Sequence, residues 1–219
     1  MRFGSFIMTV SNLLTLMGHL SLGNDNINAT ERAIFLQYLN LAHFELYQVT
    51  ATLNQDLYTK EEINKPANVG LIDLPEKPFV MGGVSVPSLR TTLKKFSIQR
   101  ELEMDPEFKQ PGPLTSYVLK KNTILLVPYQ SMPLDVVVWY IPEVVSLTED
   151  TQESNIPYPL AYHPVLVDGA LYYLFQEEGG FKNTQKAQAA SLRWEMGQSR
   201  LLSYLYNASG ETLSTFMNV

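Results

Sequence analysis

Residues 156–206 read IPYPLAYHPVLVDGALYYLFQEEGGFKNTQKAQAASLRWEMGQSRLLSYLY. Pro164 suits the first turn of a helix, because the N–H it lacks would have no intrahelical partner there. Leu166, Gly169, Ala170, Tyr173 and Leu174 then recur at the spacing of one helical face. Val165, Val167, Leu171, Tyr172 and Phe175 make the opposite side apolar too. A helix over 164–178 is therefore expected to be buried, either in a core or between a bundle and a neighbouring subunit. Gly169 and Ala170 leave room for another helix to come close. Gly179-Gly180 breaks the pattern, and Asn183 is a candidate cap for a second helix ending near Tyr206. Its apolar stripe is Ala187, Ala190, Ser191, Trp194, Gly197, Leu201 and Leu205. Lys186, Arg193 and Arg200 repeat every seven residues on another face. Such a basic stripe suits solvent, carboxylates of a neighbouring chain, or phosphate.

Upstream, helical periodicity disappears. Twelve of the thirteen prolines fall between Pro66 and Pro159, which excludes a long uninterrupted helix there. SYVLKK (116–121), TILLVP (123–128) and LDVVVWYIP (134–142) read as strands, the first two meeting in a tight turn at Lys121-Asn122. Val136, Val138 and Tyr140 alternate with Val137 and Trp139, so the third strand is expected to be covered on both faces. Gly82-Gly83 reads as a turn, and residues 79–104 as strand-turn-strand or a short helix after Pro87. Basic Arg90, Lys94, Lys95 and Arg100 precede acidic Glu101, Glu103, Asp105 and Glu107, a change of sign that fits either a solvated loop or complementary faces of neighbours.

Further upstream, Asn28 and Glu31 have the spacing of a capping box. The helix that follows, over 28–54, carries Phe35, Tyr38, Leu39, Ala42, Leu46, Val49 and Leu53 on one stripe. Asn40 and His43 lie at its edge, His43 as a packed or solvent-edge histidine and not a catalytic one. Asp56–Asn64 reads as a short helical continuation stopped by Pro66. Phe6, Val10, Leu13, Leu14 and Met17 recur at helical spacing, and Thr9, Ser11, Asn12, Thr15 and His19 interrupt the apolar run. That stretch is expected to be an amphipathic helix over 5–20, too polar for a membrane span or a signal segment. The fold class is α+β: a helical bundle from 1–65 and 156–206, a β-rich insertion over 66–155 between the second and third helices, and an extended C-terminal tail, 207–219.

Composition narrows the function. Apolar residues make up 45% and charged residues 17%, a globular composition with few charges, and the net charge of −6 argues against a dedicated nucleic-acid binder. Without cysteine there is no disulfide, thiolate nucleophile or cysteine-based zinc site. No phosphate-binding glycine loop, nucleophile elbow or HExxH pattern occurs. His19, His43 and His163 are far apart in sequence. His163 with Asp168 is the one pairing suggestive of an unrecognised hydrolase, and a position before Pro164 suits capping better. No catalytic residue, cofactor or metal is expected.

Three patterns carry a resemblance: Phe35-Leu36-Gln37-Tyr38-Leu39-Asn40-Leu41-Ala42-His43 in the second helix, WYIPEVVSLTED (139–150), and IPYPLAYHPVLVDGALYYLF (156–175). In order and spacing the chain resembles the head-to-tail adaptor (connector) proteins of tailed bacteriophages, especially the short-tailed kind. The likeness covers about residues 30–60 and 115–206. It implies a non-enzymatic virion protein at the head–tail junction, assembled in the host cytoplasm. The family forms a twelve-subunit ring under the portal that extends the DNA channel toward a tail tube or nozzle protein, with no membrane involved. DNA would pass without specific binding, and an acidic wall would repel it. A tail-completion or stopper protein of the same neck is the alternative. On this reading Leu171, Phe175, Lys186, Arg193 and Arg200 are interface candidates, and Leu213, Phe216 and Met217 in the tail are expected to anchor on the portal.

Overall fold

A computed structural model describes residues 9–53, 59–67, 70–97, 99, 112–128, 134–177 and 180–208. It is a mixed α+β chain that divides into two compact units, Met1–Asn54 with Val145–Val219, and Gln55–Val144.

The first unit is helical. α1 spans Val10–Leu22 and stops at Gly23, whose φ of 68 lets its N–H reach back to the His19 carbonyl. Residues 1–8, part of the helix expected over 5–20, lie outside the described residues. α2, Ala29–Leu53, opens on the expected capping box: the Asn28 N–H donates to Glu31 Oε2 at 2.8 Å, and the Glu31 N–H to Asn28 Oδ1 at 2.9 Å. α3 is His163–Gln176 and α4 is Thr184–Ala208, the latter capped by Asn183 Oδ1, which accepts the Lys186 N–H at 2.9 Å.

α3 touches each of the other three helices, which is why it is apolar on almost every side. Its Leu166, Leu171 and Leu174 meet a core supplied by Leu13, Leu14 and Met17 of α1, Phe35, Leu39 and Leu46 of α2, and Trp194, Leu201 and Leu205 of α4. Between α3 and α4 each glycine faces a bulky side chain. A Cβ on Gly169 would lie 2.7 Å from the Trp194 ring, and one on Gly197 would lie 2.7 Å from a Val165 methyl. The α2 stripe needs correction at its far end. Val49 and Leu53 are exposed, and Tyr47, Thr50 and Ala51 are buried instead. Thr50 can turn inward because its hydroxyl donates to the Leu46 carbonyl at 2.8 Å, leaving no polar group unsatisfied.

The second unit is one seven-stranded sheet: β1 Lys60–Ala67, β2 Leu71–Asp73, β3 Pro78–Val86, β4 Thr91–Lys95, β5 Ser116–Lys120, β6 Thr123–Val127 and β7 Leu134–Pro142. The strand order is β1-β7-β3-β4-β5-β6-β2, antiparallel throughout except for the parallel pair β4–β5. The outermost strands, β1 and β2, contact one another, so the sheet curls round a core that includes Val84, Val86, Leu93, Tyr117, Ile124 and Val138. β7 is buried along most of its length, at Val136, Val137, Val138, Tyr140 and Ile141.

Three expectations change here. Lys60–Ala67 is not a helical continuation but an edge strand on β7, pairing Lys60 with Tyr140 and Pro66 with Asp135. Pro66 is tolerated because an edge strand has one side with no ladder bonds to make. Gly82-Gly83 is not a turn; it lies inside β3, where the register against β7 shifts between Met81 and Gly83 and a Gly82 Cβ would sit 3.3 Å from the Trp139 carbonyl oxygen. The turn falls later, in one 3-10 turn over Pro87–Leu89 and at Arg90 with φ 50. The unit boundaries shift accordingly: 60–65 pairs in the sheet, whereas 145–155 belongs with the helices.

Candidate functional site

Residues 145–162, which follow β7, are held along the helices by groups of α2 and by the backbone at the start of α1. Asn40 takes both backbone groups of Leu147: its Oδ1 accepts the N–H at 2.7 Å and its Nδ2 donates to the carbonyl at 3.0 Å. Arg32 bridges two segments, with Nε 2.8 Å from Glu149 Oε2 and Nη2 2.7 Å from Ser11 Oγ. The Val10 N–H donates to the Thr151 carbonyl at 3.1 Å. Tyr158 gives its hydroxyl proton to the His43 carbonyl at 3.2 Å and packs edge-on against the His43 ring. His163 Nε2 lies 2.9 Å from the Tyr158 carbonyl and so must donate to it.

Burial drives the His43 imidazole down to about 4, opposed by a hydrogen bond with the backbone at Val145. Burial, with the Glu177 carboxylate accepting its hydroxyl proton, pushes Tyr38 up to about 12; burial and Glu45 raise Tyr173 in the same way. These groups fasten chain segments together. His163 and Asp168 are not brought together as a pair, for Asp168 instead receives Arg193 Nε at 2.6 Å.

Exposed large apolar side chains of this unit occur on α4 and α2, on α1 at Leu20 and Leu22, and at Leu160. A groove of about 600 Å³ runs between α3 and α4, with Tyr172, Phe175, Ala187, Gln188, Ser191 and Leu192 among its walls. A second depression of about 370 Å³ further along α4 involves Gln198, Leu202 and Tyr206. Leu192 is 62% exposed and Met196 55%, one helical turn apart on the side of α4 away from the core. On α2, Leu41, Phe44, Val49 and Leu53 are exposed, as is Val145 at 74%. None of these was singled out as a surface residue from sequence. The available signal was an apolar pair, Leu192 and Met196, lying off the α4 core stripe.

The five interface candidates fall into two groups. Leu171 (1% exposed) and Phe175 (5%) are consumed by the chain's own packing, Phe175 also lining the groove. Lys186, Arg193 and Arg200 are exposed. Lys186 Nζ donates to the Ser21 carbonyl at 3.0 Å and lies over the Phe175 ring, Arg193 pairs with Asp168, and Arg200 has no ion-pair partner among the described residues. Leu213, Phe216 and Met217 lie outside the described residues.

Among the described residues no group of three or more His, Asp or Glu side chains could hold a metal ion, and no helix is long and apolar enough to cross a membrane. The family described as SU10 adaptor protein matches residues 1–215 of the chain. No curated protein matches it.

Proposed function

The chain belongs to the SU10 adaptor protein family, structural phage proteins of the virion neck and not enzymes, and we propose that its copies form a ring joining the portal to the tail and extending the DNA channel. The observation that supports this is the pair of unlike apolar surfaces on the helical unit. One is the outer side of α4, with Leu192, Met196 and the groove beside them; the other is the outer side of α2, with Leu41 and Phe44. Clustered exposed side chains of this size mark interaction sites. Two different patches on one subunit meet head to tail, and a head-to-tail contact that closes on itself makes a ring.

Arg200 and the basic side chains N-terminal to it border the α4 surface and supply its polar rim. Leu171 and Phe175 act indirectly, by holding α3 and α4 in register. The resemblance implies twelve copies, a portal on one side and a tail tube or nozzle protein on the other, with assembly in the host cytoplasm. Leu213, Phe216 and Met217 are the proposed portal anchors. Native mass spectrometry and negative-stain microscopy of the purified chain, alone and with portal, test the ring. Closed rings are expected; a chain that stays monomeric at high concentration with portal present would refute it.

A further inference from the structure

In the sheet unit the cations with described side chains fall into two groups. Lys60 and Lys77 each sit against a carboxylate, those of Glu76 and Glu143. Arg90, Lys94, Lys95, Lys120 and Lys121 are all exposed, and none has an ion-pair partner among the described residues. These five share one place in the fold. β4 and β5 are parallel neighbours, with Lys94 level with Ser116 and Lys95 level with Tyr117. Arg90 sits in the turn leading into β4 and Lys121 in the turn leaving β5, both in the left-handed backbone conformation. Strand alternation puts Lys94 and Lys120 on one face of the pair, with Ser116 and the buried Val118 between them. Lys95 falls on the core-side face with Tyr117. The strip is therefore Arg90, Lys94, Lys120 and Lys121, about 30 Å long at roughly 3.3 Å per residue.

Hydroxyls stand near some of these cations. Thr92 and Thr115 are exposed, and Thr115 Oγ1 lies 3.3 Å from Ser116 Oγ. Lys, Arg, Ser and Thr are the side chains that contact phosphate oxygens. The exposed large apolar side chain near them, Leu89, stands at one end and gives no central anchor of the kind a protein partner needs.

We propose that this β4–β5 strip contacts the phosphate backbone of double-stranded DNA without reading its sequence. The proposal rests on the reading that the chain borders the DNA path. The net charge of −6 then hides an uneven distribution. Most of the surface repels the duplex and one strip holds it, weakly and in a salt-sensitive way.

The test is binding of the full chain, in its native assembly, to a fluorescent mixed-sequence duplex of about 30 base pairs between 50 and 200 mM salt. Wild type should bind, with log affinity falling by about 0.9 per log unit of salt for each phosphate neutralised. Lys94→Gln with Lys120→Gln should weaken binding several-fold and flatten that slope by about two. Adding Arg90→Asn and Lys121→Asn should weaken binding tenfold or more, whereas Lys60→Gln and Lys77→Gln, whose cations are already paired, should change neither quantity. Melting midpoints at the wild-type value exclude misfolding of the double variant. Absence of wild-type binding at 50 mM salt, an unchanged slope in both strip variants, or loss of portal binding with DNA binding intact would each overturn the proposal. Native mass on the same samples separates the two ideas. Rings that do not bind DNA sink the strip alone, and a monomer that binds DNA through these lysines upholds the strip while sinking the ring.

Discussion

Folding moves the titration of His43 toward acid. Its imidazole falls from 6.5 to about 4 because burial disfavours the charged form. As pH drops, the unfolded chain takes up this proton first, so the contribution is complete above pH 6.5 and is lost between 6.5 and about 4, on the order of 3 kcal/mol. Thermal melting across that range should show the decline. His43→Gln should be less stable at pH 8 but less sensitive to acid, and an equally steep decline in the variant would clear His43 of the effect. Asn40 offers a sharper test of the 145–162 attachment. Asn40→Ala strands both backbone groups of Leu147, which should cost about 1–3 kcal/mol in denaturant unfolding. That Asn40 and His43 edge the α2 stripe was readable from periodicity. Their partners were not, because Leu147 and Tyr158 lie more than a hundred positions away along the chain.

Helices announced themselves far better than strands in the middle of the chain. Asn28 and Asn183 are local signals, since a cap bonds within three residues, and both caps form as expected. Lys60–Ala67 misled because its fate is decided by β7, whose pairing overrides a charged and locally helix-compatible sequence. Gly82 misled for a related reason: the same dipeptide serves a turn or a bulge, and only the approach of Trp139 distinguishes them. Gly169, by contrast, was read as a place of close helix approach, and Trp194 fills it. Gly169→Leu should therefore overpack the α3–α4 contact at a cost of about 1–3 kcal/mol. A melting midpoint equal to wild type would mean that α4 swings away freely.

For the whole molecule, core and surface must be probed separately. Leu171→Glu places a charge in a core where that side chain is 1% exposed, so it should unfold the chain before it affects any assembly. Leu192→Glu with Met196→Glu should leave the melting midpoint within about 0.5 kcal/mol of wild type and yet abolish rings in native mass spectra. Rings formed by that variant would move the proposed contact off α4. Deleting 208–219 should spare the fold and remove portal binding in a pull-down; a truncated chain that still binds portal would remove the anchor role of Phe216 and Met217. Surfaces were the least readable level of all. Leu192 differs from a core leucine only in the side of the helix it occupies, and a sequence alone does not say which side a neighbour will cover.

The helical unit is written in two separate passages, with the whole sheet between Leu53 and His163. On the ribosome, α1 and α2 therefore emerge with Leu13, Phe35 and Leu46 exposed, and wait for α3 to cover them. At 5–20 residues per second that wait is on the order of ten seconds. The sheet, being contiguous, can close during the interval. In time the bundle is thus the last part of each subunit to exist, although its first helix is among the first parts made.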